Sequence, residues 1–446
     1  MNSLRPRLVL FAFGDFGFNL YSQSIMLFLL FYYTDALNLP IGIAATTYLV
    51  ASVWDGIANF AAGVIVDRRR HAFRYGPLMT AGAVPLGLTF ILTYLPPIAK
   101  GTWALAWVLV AHLLFRTAYA AVNVPYLAMT ARVSPDPRDR AIVAGLRMLF
   151  GTAASIVVAL CTIPVGRWLT GSTAAHAYFG AAIVFAASGA AILGVVGLTF
   201  KDAAEEHRRS PGSLKAALLS LASNRAFVAL NAAMMAMIVA TTVLNKSVLY
   251  YFKYLLNDPS AGELALGAMG LVSGVAVPFW MMLARFVGLT ALWQIAAGFG
   301  IAGLLVFMAI QVDAPLTMQL FLICMQVMIV GLNFVFWAML PNTIEFGERE
   351  TGIRVEGAVF GVAALLQRVA IGIATVILGW SFESVGYVPN VHQSARTLAV
   401  MHQTVALVPL IFLLLSCGAM AMNPLGRRPG RSGGEFEAAA DAVALR

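Results

Sequence analysis

The 446-residue chain is 60% hydrophobic and 11% charged, with a mean hydropathy of +0.83. Soluble domains are about 45–50% apolar and about 25% charged, so disorder, collagen, a soluble coiled coil and a soluble enzyme of ordinary composition are excluded. The formal net charge of +9 raises nucleic acid as a partner, but the placement of the charges argues against one.

Long apolar segments run over about 8–35, 41–66, 77–95, 103–131, 140–165 and 175–199, and then over about 225–254, 262–283, 287–310, 315–340, 357–382 and 398–421. Each approaches the roughly 20 apolar residues that a spanning helix needs. The alternating ten-residue strands of a membrane barrel are not seen. The expectation is an all-α membrane protein of twelve transmembrane helices. The first segment is not a cleavable signal: Asp15 interrupts it, no small-residue cleavage site follows, and it runs on to Tyr33.

Lysine and arginine fix the orientation. With the N-terminus inside, 21 of the 29 fall on the inner side, 4 on the outer side (Lys100, Arg167, Lys253, Arg396), and 4 within segments. The expectation is N-in/C-in, and the basic balance is a topology signal. No basic patch interleaved with aromatics suggests nucleic acid. The longest inner loop, 200–224, separates two sets of six. The expected domains are therefore a six-helix bundle over 1–199, a linker over 200–224, a second bundle over 225–422 and a disordered cytoplasmic tail over 423–446. Within the linker, Leu214–Ala222 is apolar enough to lie as a helix on the membrane surface.

The halves echo each other faintly. Tyr32-Tyr33-Thr34-Asp35 ends the first segment and Tyr250-Tyr251-Phe252 the seventh, 218 residues apart. Ala128-Met129 and Ala338-Met339 stand 210 apart. A parallel six-plus-six repeat with a long central loop is the major facilitator architecture.

Charges inside the segments are the candidate functional groups, because a mid-bilayer charge costs about 2.5–3.5 kcal/mol on insertion scales. They are Asp15, Asp55, Arg116, Arg147, Lys246 and Arg368. Asp55 lies 15 residues into the second segment, too deep to snorkel easily, and reads as functional rather than as a structural salt bridge. Asp15 suits a helix-end role or an ion role. Arg116, one turn after His112, suits a buried pair or a substrate contact. Arg147 suits a site role or snorkelling inward. Lys246 reads as snorkelling outward. Arg368 is the strongest cationic candidate. Cys161, Cys324 and Cys417 are isolated, so neither a disulfide framework nor a metal cluster is suggested. No cofactor, phosphate loop or hydrolase constellation is read, so the chain is not expected to be an enzyme.

With these residues in place, the chain resembles the glycoside–pentoside–hexuronide:cation symporter family of the major facilitator superfamily, the family of melibiose permease, over about residues 8–422. The matching stretches are Gly14-Asp15-Phe16-Gly17-Phe18-Asn19, Tyr32-Tyr33-Thr34-Asp35 and Val53-Trp54-Asp55-Gly56-Ile57-Ala58-Asn59. Further matches are Asp67-Arg68-Arg69-Arg70, Arg74-Tyr75-Gly76-Pro77, Asn123-Val124-Pro125-Tyr126, Phe336-Trp337-Ala338, Asn342–Glu348 and Gly386-Tyr387-Val388-Pro389-Asn390. The resemblance implies a cation site of two aspartates four residues apart on the second helix. Here Asp55 is kept, the second position is Asn59, and Ala58 precedes it. One carboxylate suits a proton better than Na⁺, which wants several charged oxygens. Asp15 is an additional candidate for that site. The two aspartates that hold a galactoside in melibiose permease match Asn19 and Asn123, which keep hydrogen bonding and lose charge. The family's cationic positions match Arg147 and Arg368, and an aromatic position matches Trp337.

The resemblance implies a secondary active transporter working by alternating access, carrying a sugar, glycoside or hexuronide by H⁺-coupled symport. Asn19, Asn123, Arg147, Trp337 and Arg368 line the substrate site. Asp55, Asn59 and Asp15 form the coupling site, and Arg68, Arg74, Glu345 and Glu348 the cytoplasmic gate. Asp55, Asn19, Asn123 and Arg368 are expected around one central cavity. The expected partners are a small-molecule substrate, a coupling cation and the lipid bilayer. The expected state is a monomer in a bacterial inner membrane. The alternatives are a lipid or amphiphile carrier of the same superfamily and, in another class, a non-transporting membrane sensor or enzyme.

Overall fold

The computed structural model describes residues 6–68, 75–98, 101–130, 133, 137–172, 175–200, 214–310, 312–351 and 356–426. Helices account for the regular structure of these residues. They are α1 (Pro6–Phe31), α2 (Ile41–Arg68), α3 (Tyr75–Tyr94), α4 (Thr102–Met129), α5 (Pro137–Thr170), α6 (Ala175–Thr199) and α7 (Leu214–Ser223). The second half adds α8 (Arg225–Tyr250), α9 (Pro259–Val287), α10 (Leu289–Ala309), α11 (Pro315–Thr351), α12 (Glu356–Glu383) and α13 (Ala395–Ala421). Eleven of them are long and apolar enough to cross a membrane. The remaining long helix, α1, carries Asp15, Asn19, Ser22, Gln23 and Ser24 in its middle, and these polar groups lower its hydropathy.

Within the first half, α1 packs on α5 and α6, α3 on α4 and α6, and α2 on α4. Within the second, α8 packs on α11, α12 and α13, α9 on α11, and α10 on α11 and α13. The halves meet where α2 lies along α12, α5 against α9 and α1 against α8. Between α2 and α12 small residues let the backbones approach. A Cβ at Gly379 would sit 2.4 Å from the Ala45 side chain, and one at Gly372 2.6 Å from that of Leu49.

The repeat is sharper in three dimensions than in sequence. The turn Tyr32–Ala36 that follows α1 and the turn Tyr251–Leu255 that follows α8 are both π-helical. Leu37 N–H donates to Tyr32 O and Leu256 N–H to Tyr251 O. Leu39 N–H donates to Tyr33 O and Asp258 N–H to Phe252 O. Each turn is followed by an asparagine at positive φ, Asn38 (56°) and Asn257 (53°). The two turns are 219 positions apart, so the sequence alignment of Tyr32 with Tyr250 is one residue out of register.

Two other expectations need adjusting. The eleventh helix does not stop near residue 340 but runs through Pro341 to Thr351, so Glu345 and Glu348 stand on a helix rather than in a loop. Residues 423–426, assigned to the tail, are folded: Pro424–Gly426 form a 3₁₀ turn, and buried Asn423 donates to Ala226 O. The rest of the tail call lies outside the described residues, as do 201–213 of the linker. The apolar run at 214–222 is α7, whose Ser220 hydroxyl meets that of Thr351 at the end of α11.

Candidate functional site

The predicted residues fall into two charged clusters rather than one. The first centres on Asp55, a fully buried residue in mid-α2 (0% exposed). Gly56 lets α12 come close here: a Cβ on it would sit 2.4 Å from a Leu365 methyl and 3.6 Å from Arg368 Cβ. Arg368 of α12 reaches Asp55 Oδ2 through Nε at 3.0 Å, and Arg116 of α4 reaches the same oxygen through Nη1 at 3.3 Å. Asn59, one turn along α2, donates Nδ2 to Asp55 Oδ1 at 2.9 Å and to the Asp55 carbonyl at 2.7 Å. Both carboxylate oxygens are therefore held by donors, and the donors come from both halves of the chain.

Arg116 is itself held. Its Nε donates to His112 Nε2 at 3.2 Å, and His112 Nδ1 lies 3.2 Å from the Tyr33 hydroxyl. Because Nε2 accepts, the ring carries its proton on Nδ1 and donates it to Tyr33. The Tyr48 ring stands edge-on to His112, and Lys246 Nζ lies 3.7 Å from the Tyr48 ring centroid. Lys246 is not at the water boundary, as its sequence position suggested. It is 4% exposed, and its Nζ reaches Met26 O of α1 at 3.4 Å. Among the described residues no carboxylate lies within ion-pair distance of it. A lysine in that position is stabilised by a π face and a carbonyl.

The second cluster joins α1 to α5. Arg147 binds Asp15 Oδ1 through Nη2 at 2.9 Å and Nε at 3.2 Å, donates Nη1 to Thr130 and lies over the Tyr126 ring. Asn19 donates to the Asp15 carbonyl and to its Oδ2. Gly151 makes the room: a Cβ there would stand 3.2 Å from Asn19 Nδ2. Asp15 thus pairs with Arg147 rather than with Arg116 or Arg368. Arg147 is paired rather than snorkelled.

Of the remaining predicted residues, Asn123 is half-buried on α4, seven positions from Arg116 and on the same helical face. Trp337 is 49% exposed and edge-on to Phe336, and no described contact ties it to either cluster. Glu345 is exposed and Glu348 half-buried. The side chains of Arg68 and Arg74 lie outside the described residues. Sequence reasoning passed over Ser22 and Gln23, whose side chains both reach Asn19 Oδ1. Their signal was a run of polar residues in an apolar segment, one turn from Asn19. His112, which the sequence marks only as lying one turn before Arg116, accepts from Arg116 Nε and fixes that side chain.

Comparison with known proteins agrees with this architecture. The family profile for MFS/sugar transport proteins matches residues 10–427. The glucuronide carrier protein homolog of Escherichia coli (strain K12) is 27% identical over 438 residues, covering 93% of this chain and 91% of that protein. The isoprimeverose transporter of Lactiplantibacillus pentosus is 23% identical over 419 residues, covering 92% and 86%. The crystal structure of a bacterial homologue of the human lysosomal transporter Spinster, inward-facing and unoccupied, superposes with a TM-score of 0.69 at 10% identity, covering 95% of this chain and 97% of that one. The fold is that of the major facilitators. The protein is a multi-pass membrane transporter and not an enzyme, and the chain belongs to the MFS/sugar transport family, in its glycoside–pentoside–hexuronide symporter branch.

Proposed function

We propose that the protein carries a sugar, glycoside or hexuronide by H⁺-coupled symport, N-in and C-in, with the two six-helix halves rocking about the Asp55 and Asp15 clusters. The observation that carries this reading is the Asp55 carboxylate between Arg116 of one half and Arg368 of the other. A proton arriving on Asp55 removes the charge that holds Arg368, so loading the site loosens the contact between the halves. Substrate occupying the hydroxyl- and amide-bearing groups near Asn19, Asn123 and Arg368 then favours the rearranged state, and alternating access follows. Proton rather than Na⁺ is supported because Na⁺ requires several free oxygen ligands. Here Asn59 turns its NH₂ to Asp55 Oδ1 and two guanidiniums cover Oδ2. A uronic acid is a fitting substrate because Arg368 spends only Nε on Asp55, and a guanidinium binds carboxylates in pairs of hydrogen bonds. Uptake of neutral and acidic sugars by proteoliposomes under imposed H⁺ or Na⁺ gradients tests the reading.

One observation favours the amphiphile carrier as a second reading. A groove of about 400 Å³ lies between α2, α4 and α12, lined by Ile43, Thr46, Val50, Leu109, Trp380 and Glu383. It is largely apolar, as an acyl chain requires, and none of these residues belongs to the Asp55 cluster. A labelled lysolipid that exchanges across proteoliposomes, with sugars inert, favours this second reading.

A further inference from the structure

The two π turns are repeat-related and touch. The Tyr32–Ala36 turn belongs to the first half and the Tyr251–Leu255 turn to the second. The carboxylate of Asp35 in the first turn is the meeting point. Its Oδ1 accepts from Lys253 Nζ at 2.5 Å and from the Tyr254 hydroxyl, both in the second turn. Its Oδ2 accepts from Thr34 at 2.7 Å and from Tyr387 at 3.0 Å, the latter in the loop between α12 and α13. Asn390 of that loop closes the arrangement. It donates Nδ2 to the Asp35 carbonyl and to Asn38 Oδ1, both at 2.7 Å, and its Oδ1 accepts from Lys253 at 2.6 Å. Beneath it the Thr34 and Tyr250 hydroxyls meet at 2.8 Å, and Phe31 stands edge-on to Tyr250.

Three features separate this cluster from an ordinary surface ion pair, which contributes little. The Asp35 side chain is almost wholly buried. Burial, together with the neighbouring carboxylate, pushes the Tyr387 phenol up, so it stays protonated and keeps donating. The described non-glycine residues at positive φ are Asn38, Asn257 and Asn390, and all three lie in these turns and this loop. Asparagine enters that region more readily than other non-glycine residues, and here it ends both turns and shapes the loop that meets them. None of these groups belongs to the two clusters within the helices; of the motif Tyr32–Asp35 only Tyr33 turns to the Asp55 cluster, through His112, and Gly386–Asn390 gains no role there.

We propose that Asp35 and Lys253, with Tyr254, Tyr387 and Asn390, are the latch of the outer gate: positioning residues that hold the halves together on the outer side, and that must separate before substrate enters from that side. The inference rests on alternating access as proposed above. Its readout is conformational, so a failed latch and a misassigned substrate give different results.

The test attaches spin labels at Ile98→Cys and Leu316→Cys, both exposed and on opposite halves, in full-length protein in nanodiscs with the native cysteines replaced. The expected result is one short distance in the parent and a several-fold larger long-distance population in Asp35→Asn and in Lys253→Gln. The exchanged pair Asp35→Lys with Lys253→Asp should move the population back toward the parent. Asn390→Ala, which keeps both charges, should give an intermediate population. A distance distribution unchanged in both single variants and in Asn390→Ala overturns the latch. So does an exchanged pair as open as the singles in monodisperse protein.

Discussion

Arg368 Nε stands 3.0 Å from Asp55 Oδ2, and the two residues belong to different halves of the chain. Arg116, from the same half as Asp55, shares that oxygen. One carboxylate thus balances two guanidiniums, and it does so on the seam where α2 lies against α12. A transporter of this fold needs a link between what it has bound and how its halves sit. A charge whose partner lies across the seam is such a link.

Removing one partner of a buried pair costs about 3–5 kcal/mol, mostly because the other charge is left uncompensated. Asp55→Asn leaves two guanidiniums without a carboxylate. Arg368→Gln leaves Asp55 with Arg116. Asp55→Asn is therefore expected to lower the apparent Tm in detergent more than Arg368→Gln does. The double variant is expected to fall short of the sum, because the pair is coupled. Thermal unfolding of the three variants followed by intrinsic fluorescence checks the order; an additive double variant contradicts the direct coupling.

The second cluster is expected to act on substrate rather than on drive. Arg147→Gln frees Asp15 and disturbs Asn19, whose amide is held to Asp15. Its expected effect is a KM raised about tenfold or more with the dependence on the proton gradient retained, since the two charged hydrogen bonds that fix Asp15, and through it Asn19, are lost. Initial uptake rates over a range of substrate concentration, with and without a gradient, decide this.

The six charges singled out inside the apolar segments are four cations (Arg116, Arg147, Lys246, Arg368) and two anions (Asp15, Asp55), and the structure pairs only some of them. Asp15 and Arg147 balance. Asp55 faces Arg116 and Arg368, and Lys246 has Tyr48 and a carbonyl. An arriving carboxylate offsets this excess. A uronic acid is expected to compete for uptake at least ten times better than its neutral parent sugar, and Arg368→Gln should narrow the gap. Equal competition, unchanged in the variant, refutes an acidic substrate.

Close approach of α2 and α12 is what brings Asp55 and Arg368 together, so the seam should tolerate no bulk. Gly372→Leu places a side chain where a Cβ already stands 2.6 Å from a Leu49 methyl and 3.2 Å from its Cα. Overpacking costs about 1–3 kcal/mol. The variant is expected to express poorly or to lose transport. Gly418→Leu, at a glycine whose Cβ would meet nothing within 4 Å, should do neither. Expression and uptake of the two side by side measure the difference.

Most of the fold was legible because long apolar runs act locally along the chain. The ends were harder. α11 runs beyond its apolar stretch through Pro341 into the acidic Glu345–Glu350 stretch, where hydropathy gives no sign of a helix. The individual site residues Asp55, Asp15, Arg147 and Arg368 stood out because a charge in an apolar run is conspicuous. Their pairing did not. Asp15 with Arg147, and Asp55 with Arg116 and Arg368, are contacts over more than sixty residues, set by which helices pack together. Lys246 misled because its distance from the segment end suggested snorkelling. Its burial depends on Tyr48 of another helix, which no local pattern records.

In the proposed mechanism a single carboxylate at the seam couples a proton to transport. The most direct measurement is uptake into proteoliposomes of the best-competing sugar, with an inward proton gradient, an inward Na⁺ gradient at constant pH, and no gradient, for the parent and for Asp55→Asn. The parent is expected to accumulate sugar with the proton gradient alone. Asp55→Asn is expected to accumulate none, while exchange of labelled for unlabelled substrate survives. Strong Na⁺-driven uptake that ignores the proton gradient, or undiminished proton-driven accumulation in Asp55→Asn, would contradict that mechanism.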